Sequence, residues 1–157
     1  MSRIHAVRPD STARKLALHL LALATLAVVS TFPLAARAES PATVKNKVIF
    51  QVSEADPAKW NLTLNNAKNV QSDLGKDQVE IEIVAYGPGI GMLKADSLVG
   101  NRVDDAAAAG VKIVACENTM KAQKLKKDDM LKSAAYVSAG VVELMQKQQQ
   151  GYAYIRP

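Results

Sequence analysis

The sequence predicts an α/β domain on a mainly parallel five-stranded sheet, and two observations carry that prediction. Short apolar, β-branched runs alternate along the chain with segments whose apolar residues recur at helical spacing. The helical segments end at glycine, the residue that most readily adopts the left-handed backbone past a helix C-terminus. Strands joined by helix-length connections pair in parallel, because the crossover returns the chain to the same end of the sheet. Right-handed crossovers then place helices on both faces.

The elements follow in order. Lys47-Val48-Ile49-Phe50-Gln51-Val52 is a short apolar run suited to a strand covered on both sides. Asp56-Pro57 is a helix start, with Asp at the cap and Pro in the first turn. Trp60, Leu64, Ala67, Val70 and Leu74 recur at helical spacing up to Gly75, which gives a helix of about 18 residues. Gln78 to Tyr86 begins as an alternation, with Val79, Ile81 and Ile83 against Glu80 and Glu82. It reads as a second strand whose beginning lies near an edge or end of the sheet. Gly87-Pro88-Gly89-Ile90-Gly91 breaks it, and a helix is expected from about Val99 to Ala109, closed by Gly110. Val111 to Ala115 is the third strand, closed by Cys116, and a helix follows from about Asn118 to Lys126. Ala134 to Val137 is the fourth strand. Ala139 to Gln150 is a helix with Val142, Leu144 and Met145 on its apolar side, and Tyr152 to Ile155 is the fifth strand.

The N-terminus belongs to a different class of sequence. Arg3, Arg8, Arg14 and Lys15 precede the apolar run Leu16 to Val29, and Ala36-Arg37-Ala38 has the small residues of a cleavage site before Glu39. This is the layout of a secretory signal peptide, and the apolar run falls short of the roughly 20 residues that a membrane span needs. Residues 1–38 therefore read as a cleaved signal peptide that directs the protein to the periplasm, and residues 39–157 as one domain. Five of the Lys and Arg residues and one Asp lie in the first 38 positions, so the formal net charge of +5 falls to +1 beyond them. Nothing in that balance calls for nucleic acid, or for a membrane partner after cleavage. The basic cluster Lys121 to Lys127 runs straight into Asp128-Asp129 and reads as a solvated face.

Composition also narrows the chemistry. Both histidines, His5 and His19, lie in the leader, and Cys116 is the single cysteine. The domain thus has no histidine base for a triad and no ligand set for a structural zinc. In an open parallel sheet the ligand crevice lies beyond the carboxyl ends of the strands. Ser53 to Asp56, Tyr86 to Gly91 and Cys116 to Thr119 all fall at that edge. Cys116 is then at a strand end entering a helix, where unpaired N–H groups favour a thiolate. Asn118 or Thr119 would cap that helix and turn a polar group toward the sulfur, while the Glu117 carboxylate would raise the thiol pKa. The opposite reading of Cys116 is a small buried apolar residue. An unpaired thiol in an oxidising compartment favours use over packing. Tyr86 to Gly91 lacks the third glycine of a dinucleotide loop and the Lys-Ser/Thr of a P-loop. It reads as a tight turn that brings backbone close to a small ligand or a neighbouring subunit.

Tyr86-Gly87-Pro88-Gly89-Ile90, Gly110-Val111 leading into Ala115-Cys116-Glu117-Asn118-Thr119-Met120, and the ending from Ala139 through Gly151-Tyr152-Ala153-Tyr154-Ile155-Arg156-Pro157 together resemble the DsrE/DsrF-like (YchN-like) family. The likeness runs from about Lys45 to Pro157. It implies a flavodoxin-like three-layer sandwich that assembles as a trimer or hexamer. It also implies sulfur-relay chemistry, in which Cys116 accepts sulfane sulfur as a persulfide and hands it on, as a sulfurtransferase or sulfur carrier. Tyr86, Gly87, Gly89, Glu117, Asn118 and Thr119 would line the pocket or steady the thiolate. This chemistry needs no metal and no cofactor, and its partners would be a sulfur donor or acceptor protein. The relay members of the family are cytoplasmic, whereas this chain carries an export signal. The alternative is a non-catalytic oligomeric binding or assembly module, with the glycine loop and the Tyr152–Pro157 tail buried between subunits.

Overall fold

A computed structural model describes residues 45–157. The signal peptide expected over residues 1–38 and the cleavage site before Glu39 lie outside the described residues. The elements are β1 (Asn46–Val52), α1 (Pro57–Leu74), β2 (Val79–Ala85), a 3-10 segment (Gly87–Leu93), α2 (Gly100–Ala108), β3 (Lys112–Cys116), α3 (Glu117–Ala122), β4 (Ala135–Val137), α4 (Gly140–Gln149) and β5 (Ala153–Ile155). All five strands pair in parallel in the order β4-β3-β2-β1-β5. The chain steps outward from β1 to β4 and then returns past the whole sheet to place β5 on the far side of β1. Flavodoxin itself uses the order 2-1-3-4-5, and both orders obey the same crossover rule.

The direction of those crossovers sorts the helices. α1, α2 and α3 connect strands laid down in one direction and share a face; α4 makes the return and lies on the other. Val48, Phe50, Val52, Ile83, Ile113 and Ala115 point to the three-helix face, packed on Trp60, Leu64 and Ala67 of α1, Val103 of α2 and Met120 of α3. Parallel register sets Ile155, Phe50, Ile83 and Ile113 in one row across four strands. Phe50, Ile83 and Ile113, buried in that row, each contribute about 1.5–3 kcal/mol. The opposite face holds a smaller cluster, Ile49, Val84 and Val114 under Leu144 of α4, flanked by Tyr86, Val137 and Tyr152.

The start of α1 matches its sequence signals, since the Asp56 carboxylate accepts from the Ala58 N–H at 2.8 Å. Gly75, Gly110 and Gly151 follow α1, α2 and α4 with φ of +87°, +92° and +86°, the left-handed backbone that ends a helix.

Four expectations are corrected. The strand with the Glu80–Glu82 alternation is not at an edge: β2 is central, between β1 and β3. Its glutamates face α4, where Glu82 is 1% exposed and its Oε2 lies 3.0 Å from Lys112 Nζ and 3.2 Å from Lys147 Nζ. The polar half of the alternation therefore marks a buried ion cluster and not a solvent face. The third helix ends at Ala122, because Lys124 takes φ +57° and the Leu125 N–H turns back to Met120 O at 2.8 Å. On α4 only Leu144 of the expected apolar stripe is buried; Val142 and Met145 are exposed. Leu74, at the end of α1, is exposed as well.

Candidate functional site around Cys116

The carboxyl ends of β1, β2 and β3 bring the three predicted segments together. The Gly89 N–H donates to Ser53 O at 3.1 Å and the Gly87 N–H donates to Thr119 Oγ1 at 2.9 Å. Gln123 closes the same edge by donating to Gly87 O at 3.2 Å. Gly87 needs its glycine, since its φ is +52°. Gly89 needs its own for a different reason. A Cβ there would sit 2.4 Å from Val52 O, so the loop lies directly on the end of β1. At Gly89 the loop therefore approaches the chain's own backbone.

Cys116 is 5% exposed and is itself the N-cap of α3, with Sγ accepting from the Thr119 N–H at 3.5 Å. The expected caps, Asn118 and Thr119, lie inside the helix. In parallel strands alternate residues share a face, so Cys116 points with Val114 toward α4. The chain leaves β4 through Ser138 and Ala139, and Ser138 O accepts from the Asn118 N–H at 3.1 Å. That bond holds the start of α4 beside the start of α3. Gly140, the first residue of α4, thereby presents its N–H to the sulfur.

The thiol's acidity is the balance of two opposed effects. Burial pushes it up. The Thr119 hydroxyl and the N–H groups of Gly140, Thr119 and Asn118 donate to the sulfur and pull it down, and the net shift is below the ordinary thiol value. Because Thr119 Oγ1 accepts from Gly87, its own hydrogen is free to be given to the sulfur. The glycine loop therefore acts on Cys116 through Thr119.

Tyr86 is half-buried and its phenol is pushed up, first by burial and then by Tyr154. It meets the site through Gly140: a Cβ on that glycine would lie 3.0 Å from Tyr86 Cβ and 3.2 Å from Val84 Cγ1. The Glu117 carboxylate pairs with Lys127 at 3.6 Å. Asn118 is exposed, and its backbone N–H, given to Ser138 O, lies near enough to the sulfur to help lower the thiol pKa. Gly140 and the Ser138 carbonyl were missed as site residues; the one sequence signal for them was an Ala-Gly pair opening the last helix. A surface cavity of about 450 Å³, lined by Glu117, Ser138, Ala139 and Val142, opens against this same turn.

The chain belongs to the DsrE/DsrF-like family, whose model matches residues 46–157. Among solved structures, it is similar to a protein of unknown function from Methanobacterium thermoautotrophicum, with 36% identity and a TM-score of 0.69, over 72% of this chain and 100% of that one. A conserved protein of unknown function from Bacteroides thetaiotaomicron shares the fold at 14% identity and a TM-score of 0.57, over 71% of this chain and 95% of that one. No curated protein matches the chain.

Proposed function

We propose that this protein is a sulfur carrier of the periplasm, in which Cys116 takes up sulfane sulfur as a persulfide and passes it on. One observation carries the reading: a single cysteine at the N-cap of α3, whose sulfur accepts from the Thr119 N–H at 3.5 Å and whose acidity the Thr119, Gly140 and Asn118 donors around it raise in spite of burial. Those donors favour a thiolate, the nucleophilic form, and would hold the terminal sulfur of a persulfide anion equally well.

The step balances without an oxidant. The Cys116 thiolate attacks the outer sulfur of an inorganic polysulfide; an S–S bond forms to Cys116 as the donor's own S–S bond breaks. The shortened polysulfide leaves with the electron pair. The transferred sulfur stays sulfane throughout, and delivery to an acceptor thiolate repeats the exchange in reverse. No proton need be abstracted if the thiolate is already formed, which suits a domain without histidine.

Export through the N-terminal leader places this carrier in the periplasm, after cleavage before Glu39. It works there as a homo-oligomer, a trimer or hexamer, and exchanges sulfur with a donor or acceptor protein. Support for the oligomer comes from the face that α4 covers alone: Val141, Val142 and Met145 of α4 and Tyr154 of β5 are 41–62% exposed. A second reading, a non-catalytic assembly module, is favoured by the burial of the Cys116 sulfur.

Intact-mass measurement separates the two. After incubation with inorganic polysulfide and removal of the excess, wild type should gain the mass of one sulfur atom and Cys116→Ser should gain nothing. Equal spectra for the two proteins would leave the assembly module standing.

A further inference from the structure

The largest cavity among those described lies at the other end of the sheet from the thiol, between α1 and α2. Its volume is about 520 Å³, inside the range of about 300–1,000 Å³ typical of small-molecule sites. The groove exists because α1 has 18 residues and α2 only 9, and because alanines, Ala67 and Ala106, stand where the two helices meet. Past Ala109 no helix faces the last turns of α1, and Gln71 bridges the gap by donating to Ala109 O at 2.9 Å.

The lining is divided by chemistry. Leu64, Ala67, Ala106 and Val111 make an apolar floor, while Lys68, Lys76 and Arg102 stand on the rim with Asp105 as the one acid. None of these three cations forms a salt bridge among the described residues. Arg102 is instead held by neutral groups, giving its guanidinium to the side-chain oxygens of Asn61 and Asn65. Its position is thereby fixed and its charge left uncompensated. Lysines without an acid partner occur elsewhere too, as at Lys121, Lys124 and Lys126, but only here do such cations stand around an apolar floor among the cavities described.

From this division we infer that the α1–α2 groove is a binding site for an alkyl carboxylate: a monoanion whose chain lies on the floor and whose carboxylate is received by Lys68, Lys76 and Arg102. A neutral amphiphile would leave the cations unanswered, and a small inorganic anion would leave the apolar floor wet. The site is independent of the sulfur chemistry and does not require Cys116.

Decanoate, kept below its micellar concentration, tests it directly. Titrated into the protein and followed by calorimetry and amide chemical shifts, it should bind saturably at one site per chain, with shifts at Lys68, Gln71, Ala106 and Val111. Decanol and acetate should each bind at least about tenfold more weakly. The double variant Lys68→Gln/Lys76→Gln, which alters two groove-rim side chains without touching the core, should weaken decanoate about five- to tenfold, as two exposed charge contacts allow. Ala109→Phe, at an exposed position on the groove, should block the floor and abolish binding. Cys116→Ser should bind decanoate as wild type does. Absence of saturable binding, equal affinity for decanol, or indifference to both groove variants would each overturn the inference.

Discussion

At the scale of single residues, Cys116 is governed by how many donors reach its sulfur, and Thr119 is the one whose side chain a substitution can remove, together with the acceptor of the Gly87 N–H. The sign of the pH dependence follows from the depressed thiol pKa: the stabilisation is present above the unfolded thiol value, about 8.5, and is lost as pH falls through the folded one. Alkylation of native protein by iodoacetamide should therefore reach half its maximal rate at a pH below that of an unfolded-state control. Thr119→Val should move that midpoint upward and slow alkylation at neutral pH several-fold, while Thr119→Ser should retain the wild-type midpoint. Gly140→Ala tests the second helix start. Its Cβ would meet Tyr86 and Val84 at 3.0–3.2 Å, an overpacking of about 1–3 kcal/mol, and a lower Tm and a raised thiol midpoint should appear together. Cys116, Thr119 and the glycine loop were legible because strand–helix alternation fixes which residues share the carboxyl edge. Gly140 was not. Its importance lies in a contact between residues 86 and 140, and no local pattern encodes a pairing that distant in the chain.

At the scale of elements, the lesson concerns polar residues inside strands and helices. The apolar runs of β1, β2 and β3 and the capped, glycine-ended α1 were readable nearly to the residue, since period and caps are local signals. The Glu80–Glu82 alternation was misread because period alone tells which side a residue faces, never what covers that side. What covers it is α4, which brings Lys147 and Glu143 over Glu82 while Lys112 reaches it from β3. Burial, followed by the neighbouring Glu143 carboxyl, raises the Glu82 pKa. A raised carboxyl pKa means that this group favours the fold below its unfolded value, about 4.3, and that the contribution is lost as pH rises through the folded value. Glu82→Gln should flatten that slope. Thermal melts from pH 4 to pH 8 should show the wild type losing stability relative to the variant on the alkaline side. A constant difference across the range would contradict this account of the α4 contact.

At the scale of the whole molecule, five parallel strands are sealed by three helices on one face and by α4 alone on the other. That asymmetry was not visible in the sequence, where Val142 and Met145 look like an ordinary buried stripe. It leaves Val141, Met145 and Tyr154 exposed on a face that a second copy would cover. Light scattering on residues 39–157 should give a mass above that of one chain, and Val141→Glu with Met145→Glu should reduce it to the monomer while Cys116 remains alkylatable. The measurement that bears most directly on the account is cyanolysis of the polysulfide-treated protein. Cyanide removes sulfane sulfur from a persulfide, giving thiocyanate and the free thiolate. Wild type should release about one thiocyanate per chain and regain its alkylatable thiol, with none from Cys116→Ser; equal release from both proteins, or none from either, would contradict the assignment of Cys116 as the carrier.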